Sequence, residues 1–182
     1  MDSQLHGIEA ADAARYGEHA AIRDFYSLEA RLLDDNLLTD WLGLLHENVA
    51  YLVPNRTFKP LVEDDFSVAS GVMVDDHDSV AAKVARYETL HAWSEDPPSM
   101  TRRFVTNVEI GVDPVSETPP GRAWTARTNV LVYHARRDQQ PALISAGRRD
   151  VLVDGGNGLR VWRRLVHLDH NTLPVQDLAI FL

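Results

Sequence analysis

The chain has 182 residues, 45% of them hydrophobic and 25% charged, which is the usage of a folded domain and excludes a disordered chain or a fibre. A formal net charge of −9 repels phosphate backbones and excludes nucleic acid as a natural partner. Cysteine is absent, so disulfides, thiolate zinc sites, a cysteine nucleophile and any iron–sulfur cluster ligated within the chain are excluded as well.

Residues 1–17 lack periodicity and contain Gly7 and Gly17; they read as an N-terminal arm ahead of one domain spanning 18–182. No basic stretch followed by an apolar run occurs in this segment, and no run of about 18 apolar residues occurs anywhere. The expectation is a cytoplasmic protein with no signal peptide and no membrane contact. From Ala20 to Asn36, Ile22, Phe25, Tyr26 and Leu33 recur at helical spacing, with Arg23, Glu29 and Arg31 placed mostly on the other side. Thr39 is the expected cap of a shorter helix carrying Leu38, Trp41, Leu42 and Leu45. Val49–Val53 is a β-prone run stopped at Pro54, and 55–76 has mixed signals. A third helix is expected from about Ser79, with Val80, Val84, Tyr87 and His91 on one face and Asp75, Asp76 and Asp78 near its positive end.

From Thr101 the apolar period changes from near 3.6 to 2. Four long strands are expected at about 102–113, 122–136, 142–153 and 159–169, separated by turn-rich stretches that include Gly155-Gly156-Asn157-Gly158. Helices first and a meander after them predict an α+β fold: an NTF2-like, cystatin-like cone with N-terminal helices packed on a strongly curved antiparallel sheet. Charge divides the same way, with 7 basic and 19 acidic residues in 1–100 against 11 and 8 in 101–182. Lysine occurs only at positions 59 and 83, so the positive charge is nearly all guanidinium, the group suited to bidentate carboxylate pairing and to interfaces.

Two clusters have metal-ligand composition. Asp75-Asp76-His77-Asp78 groups carboxylates with an imidazole, but four adjacent residues seldom converge on one ion and helix N-terminal acids explain the run. His167, Asp169 and His170 are the ingredients of a two-His, one-carboxylate site, yet along a strand His170 faces away from the other two. A cone interior can also pair a helix Asp with a sheet His for acid–base work, with Asp34, Asp35 or Asp40 and His134 or His167 as the available groups. That pairing defines the alternative function, a stand-alone dehydratase or isomerase; a small-ligand binding module is a third reading. No nucleotide-binding loop, GxSxG or HExxH occurs.

Five separated patches resemble the small, or β, subunit of bacterial aromatic-ring-hydroxylating (Rieske-type) dioxygenases over roughly residues 20–182. They are Glu29-Ala30-Arg31-Leu32-Leu33-Asp34-Asp35 running on to Val49-Ala50-Tyr51-Leu52-Val53-Pro54, Ala92-Trp93-Ser94-Glu95-Asp96-Pro97-Pro98-Ser99, Arg102 or Arg103 with Thr106-Asn107-Val108, Gly147-Arg148-Arg149-Asp150-Val151-Leu152, and Leu178-Ala179-Ile180-Phe181-Leu182. The resemblance implies the cone fold and a structural role beside a catalytic α subunit and other β subunits, commonly as α3β3. The α subunit would hold a Rieske [2Fe-2S] cluster and a mononuclear Fe(II), with electrons from NADH through a reductase, and the complex would cis-dihydroxylate an aromatic compound in catabolism. It implies no catalytic residue, cofactor or metal in this chain. Trp93, Pro97, Pro98, Arg102, Arg103 and Asn107 are the expected rigid interface or structural patch, with Phe181 as a packing anchor.

Overall fold

In the computed structural model, which describes residues 2–54, 71–94, 99–112, 121–136, 140–170 and 181–182, helix α1 runs over Asp2–Asp34. It therefore begins well before the expected Ala20, without the apolar periodicity that would have announced its first turns. It ends where Asn36 takes a left-handed φ of 57°. The Leu37 N–H then reaches the Leu32 carbonyl at 2.8 Å and the Asn36 N–H that of Leu33 at 3.4 Å, closing the last turn. Ile22, Phe25, Tyr26, Leu32 and Leu33 bury one stripe of α1. Glu29, expected on the wet side, lies in that stripe and is 1% exposed.

Helix α2 is only Leu38–Leu42 and has no side-chain cap. Thr39 does not cap it; its hydroxyl donates to Glu88 of α3 at 2.8 Å, tying two helices together. Helix α3 spans His77–Ser94. The expected acid cap is present there, because Asp76 accepts the Ser79 N–H at 2.9 Å. Val80 and Val84 point into the core; the His91 side chain lies outside what the structure describes.

Six strands form one sheet in the order β2-β1-β6-β5-β4-β3, with β1 Leu45–Pro54, β2 Gly71–Asp75, β3 Met100–Val112, β4 Arg122–Ala135, β5 Ala142–Asp154 and β6 Leu159–Leu168. The last four are the expected long strands, within two residues at each end, and pair antiparallel. One expectation fails: β1 lies parallel to β6, so the sheet is mixed. Hairpin connections force antiparallel pairing, whereas β1 and β6 are far apart in sequence and free to pair in either sense. Between β5 and β6 the glycine run is indeed a turn, with Gly156 and Gly158 both at φ 92° and Asp154 accepting the Gly156 N–H at 2.8 Å.

Strand alternation sends Val130, Val132, Ile144, Ala146, Leu152, Val161 and Val166 toward the helices, where they close one core with α1, α2 and Phe181. On the opposite face, Val151, Val153 and Trp162 form a smaller apolar cluster. Strand β3 carries a bulge between Thr106 and Glu109, and Asn107 within it sits at φ 54°. Only glycine, and asparagine more easily than the rest, takes that conformation at low cost. Asn107→Val should therefore lose about 1 to 2 kcal/mol in chemical denaturation while Asn107→Gly stays within about 0.5 kcal/mol of the parent. Equal losses in both would show that the Asn107 side chain, and not its backbone, matters.

Candidate functional site: a buried arginine–carboxylate core and an exposed apolar sheet face

Strands β5 and β6 place charge at core positions. Arg148 and Asp150 fall on the inward phase of β5, between Ala146 and Leu152, and Arg164 on that of β6. All three are at most 3% exposed, and α1 sets Glu29 among them. Arg164 donates from Nη1 to Glu29 Oε1 at 2.6 Å and from Nη2 to Oε2 at 3.1 Å. It also reaches Asp150 from Nε at 2.9 Å and from Nη2 at 2.8 Å. Arg148 donates from Nη1 to Glu29 at 3.1 Å and from Nε to Thr128 at 3.1 Å. Its Nη2 has no hydrogen-bond partner among the described residues, but the guanidinium lies over the Tyr26 ring, 5.1 Å from the centroid. Tyr26 donates to Asp150 at 3.0 Å, and Trp41 Nε1 to Glu29 at 3.3 Å.

Two arginines thus meet two carboxylates, and the cluster is neutral as a whole. Burial alone would raise the Glu29 pKa, but the Arg164 and Arg148 charges together outweigh it and bring the carboxyl from 4.5 to about 2. Tyr26 is driven the other way, well above its ordinary value, by burial first and then by the Asp150 charge. Apart from Arg148 Nη2, the guanidinium, phenol and indole donors of this cluster have protein acceptors, and the arrangement locks helix to sheet.

A second pair closes the mouth of the core. Arg103, on β3, donates from Nη1 to Asp34 at 2.7 Å, and both side chains are at most 5% exposed. Asp34 also accepts the Arg103 N–H at 2.9 Å and the Thr101 hydroxyl at 3.2 Å. Burial pulls the Arg103 pKa below its ordinary value, and Asp34 offsets only part of that.

These contacts bear directly on the candidate acid–base pairs. Thr101 faces His134 across β3 and β4, so the fold does bring Asp34 into the neighbourhood of His134. Asp34 is nevertheless committed to a guanidinium, a hydroxyl and a backbone N–H, which leaves no free carboxylate to take a substrate proton. Asp35 and Asp40 are exposed. His167 faces away from the core, in phase with Leu165 and opposite Arg164 and Val166, and burial followed by the Arg149 charge lowers its pKa. An open cleft of about 240 Å³ lies elsewhere, over Glu109, Ile110, Gly111, Thr125 and Arg127.

Neither metal-like cluster converges. Asp75 pairs with Lys83 at 2.5 Å, Asp76 caps α3, and Asp78 is fully exposed. Asp169 accepts the Ser145 hydroxyl at 2.5 Å and His170 Nε2 the Ser145 N–H at 3.3 Å, fastening the end of β6 to β5. Among the described residues no three His, Asp or Glu side chains form a metal-binding group, and no helix is long and apolar enough to cross a membrane.

The residues expected to form an interface or structural patch are divided. Arg103 and Phe181 are core residues, Phe181 being 2% exposed and stacked on Trp41 with ring centroids 4.4 Å apart. Arg102 and Asn107 are exposed on β3. Trp93 belongs to α3, but its side chain, like Pro97 and Pro98, lies outside the described residues. Sequence reasoning overlooked what surrounds Arg102. Met100, Phe104, Leu131, Tyr133 and Leu143 are 37 to 67% exposed and are brought together by the register, which sets Phe104 opposite Leu131, Arg102 opposite Tyr133 and Tyr133 opposite Leu143. The alternation of β4 was legible as an apolar inner phase; that its outer phase also carries Leu131 and Tyr133 was the signal available. A contiguous apolar face of this kind is uncommon on a free-standing protein and marks a contact surface.

Helices laid on one face of an open mixed sheet define the NTF2-like cone. Residues 28–175 match the ring hydroxylating beta subunit family, and the chain belongs to that family. It is 28% identical over 166 residues to the biphenyl 2,3-dioxygenase subunit beta of Rhodococcus jostii strain RHA1, covering 88% of this chain and 86% of that one. The structure of a naphthalene 1,2-dioxygenase with indole bound in the active site superimposes with a TM-score of 0.75 at 24% identity, over 90% of this chain and 84% of that one. The beta subunit of the benzoate 1,2-dioxygenase from Burkholderia mallei ATCC 23344 gives 0.68 at 20% identity, over 88% and 95%.

Proposed function

We propose that this chain is the structural, non-catalytic β subunit of an aromatic-ring-hydroxylating dioxygenase and works as part of that oxidoreductase complex. The single observation that carries the reading is family membership over residues 28–175. In the complex, the large α subunit holds the Rieske [2Fe-2S] cluster and the mononuclear iron and acts on the aromatic compound, with NADH supplying electrons through a reductase. A Rieske centre takes two Cys and two His ligands; with no cysteine, the donors of this chain do not fit that cluster. Interior polar groups engaged with one another suit a scaffold better than a reaction chamber, which favours this reading over the dehydratase alternative.

The assembly is α3β3 and cytoplasmic, with residues 1–17 reaching a neighbouring subunit and 18–182 forming the domain. Met100, Phe104, Leu131, Tyr133 and Leu143 face the α subunit. Arg102 stands exposed among these apolar residues, whereas Arg127 is offset by Glu109 opposite it, so an unlike surface bearing a carboxylate for Arg102 is a better match than a second copy.

Co-expression with the neighbouring Rieske-type large subunit tests both levels. The two chains are expected to co-purify with iron, and Phe104→Asp with Leu131→Asp should leave this chain folded by circular dichroism but eluting alone. Failure of the parent chain to associate sinks the subunit reading. A double variant that still co-purifies sinks only the assignment of the face, as does loss of self-association without loss of α.

A further inference from the structure

Phe181 and Leu182 occupy the interior as a ligand would. The Phe181 ring lies on Trp41, and its carbonyl oxygen accepts from Arg103 Nη2 at 2.9 Å and Nε at 3.3 Å. The Leu182 N–H donates to the Tyr51 hydroxyl at 3.0 Å. That hydroxyl donates in turn to the Leu182 carbonyl oxygen at 2.5 Å, where Arg164 Nη1 adds a bond at 3.3 Å. One aromatic ring, one amide N–H and two carbonyl oxygens are each matched by a buried group of the domain.

Three of those four receiving groups are held by bonds that do not involve the dipeptide. Arg103 is held by Asp34, Arg164 by Glu29 and Asp150, and Trp41 by Glu29. Tyr51 is fully buried on β1, with Arg164 5.6 Å from its ring centroid. A receptor whose walls are fixed by their own bonds pays little to reorganise when its occupant changes. Removing the occupant would leave buried guanidinium and hydroxyl donors without acceptors, a cost that any ligand with suitably spaced oxygens relieves.

We propose that the cone interior bounded by Trp41, Tyr51, Arg103 and Arg164 is a preorganised binding site, closed in cis by Phe181-Leu182. Its ligand class is an aromatic ring carrying two carbonyl or carboxylate oxygens one residue apart, as in an acylated phenylalanyl dipeptide. Each guanidinium already faces a carboxylate, so recognition rests on directed donors more than on net charge. The tethered occupant has the advantage of high effective concentration and keeps free ligand out of the intact chain.

The test is the chain shortened to residue 180, with N-acetyl-phenylalanyl-leucine as the probe. Calorimetry is expected to show saturable one-to-one binding to the shortened chain and none to the full chain, and the melting temperature of the shortened chain should rise with the logarithm of peptide concentration. N-acetyl-alanyl-leucine should bind at least about tenfold more weakly, and Arg103→Lys in the shortened chain should weaken the phenylalanyl peptide by about tenfold through loss of the forked donor. If the shortened chain does not fold by itself, refolding with the phenylalanyl peptide but not the alanyl one should recover soluble protein. A folded shortened chain that binds neither peptide overturns the proposal. So does an unfolded one that neither peptide rescues, and so does equal binding or rescue by both.

Discussion

Arg164→Met is expected to be the most damaging single substitution among the described core residues, with a loss of about 3 to 5 kcal/mol in chemical denaturation or no recoverable soluble protein. Arg164 answers two buried carboxylates at once, giving four hydrogen bonds between 2.6 and 3.1 Å to Glu29 and Asp150. Methionine fills much of the volume but leaves Asp150 with the Tyr26 hydroxyl, and Glu29 with Arg148 and Trp41, as their remaining partners. For a chain of this size, such a loss lowers the melting temperature by on the order of 10 °C. Arg102→Met is the control: Arg102 is exposed on β3, and its loss should cost about 1 kcal/mol or less. Similar losses in the two variants would show that the buried charges contribute no more than a surface cation does.

The same residues show how far the chain could be read before folding. Alternation located β3 to β6 to within two residues, although in β3 it is Phe104 that is exposed and Arg103 that is buried; in β4 to β6 an apolar inner phase repeats every second residue. Arg148, Asp150 and Arg164 stand on that inner phase, so pattern alone could have marked them as buried. Glu29 could likewise have been found: it falls three residues from Tyr26 and Leu32 on the apolar stripe of α1. They were overlooked because a charged residue is ordinarily read as exposed, and only their combined signs, two positive and two negative, make burial affordable. The parallel sense of β1 on β6 was not legible, since no local signal fixes the direction in which distant strands meet. Nor was the start of α1, whose first turns lack an apolar stripe. The resemblance reached Trp93, Arg103, Asn107 and Phe181 by register with family motifs, but a motif does not say whether its residue serves core or contact. Coordinates assign Arg103 and Phe181 to the core and leave Arg102, beside Phe104 and Tyr133, on the surface.

Acid should weaken the fold through Glu29 in a defined window. Its carboxyl has a pKa of about 2 in the folded chain against 4.5 ordinarily, so the unfolded chain binds its proton more tightly. Unfolding below about pH 4.5 therefore takes up a proton, and the stabilisation present above that pH declines as pH falls toward 2. The full difference is on the order of 3 kcal/mol, at about 1.4 kcal/mol per unit of pKa. Other carboxylates titrate over the same range, so the parent curve alone does not isolate Glu29. Glu29→Gln does: the amide keeps the shape but accepts no charge-assisted bonds from Arg164 and Arg148. The variant should be less stable than the parent at pH 7, and the gap should narrow by about 2 kcal/mol or more between pH 5 and pH 2.5, measured by urea denaturation at each pH. A gap that stays constant would mean that folding leaves the proton affinity of Glu29 unchanged. Arg164 and Arg148 would then only offset the burial of that carboxylate and not outweigh it.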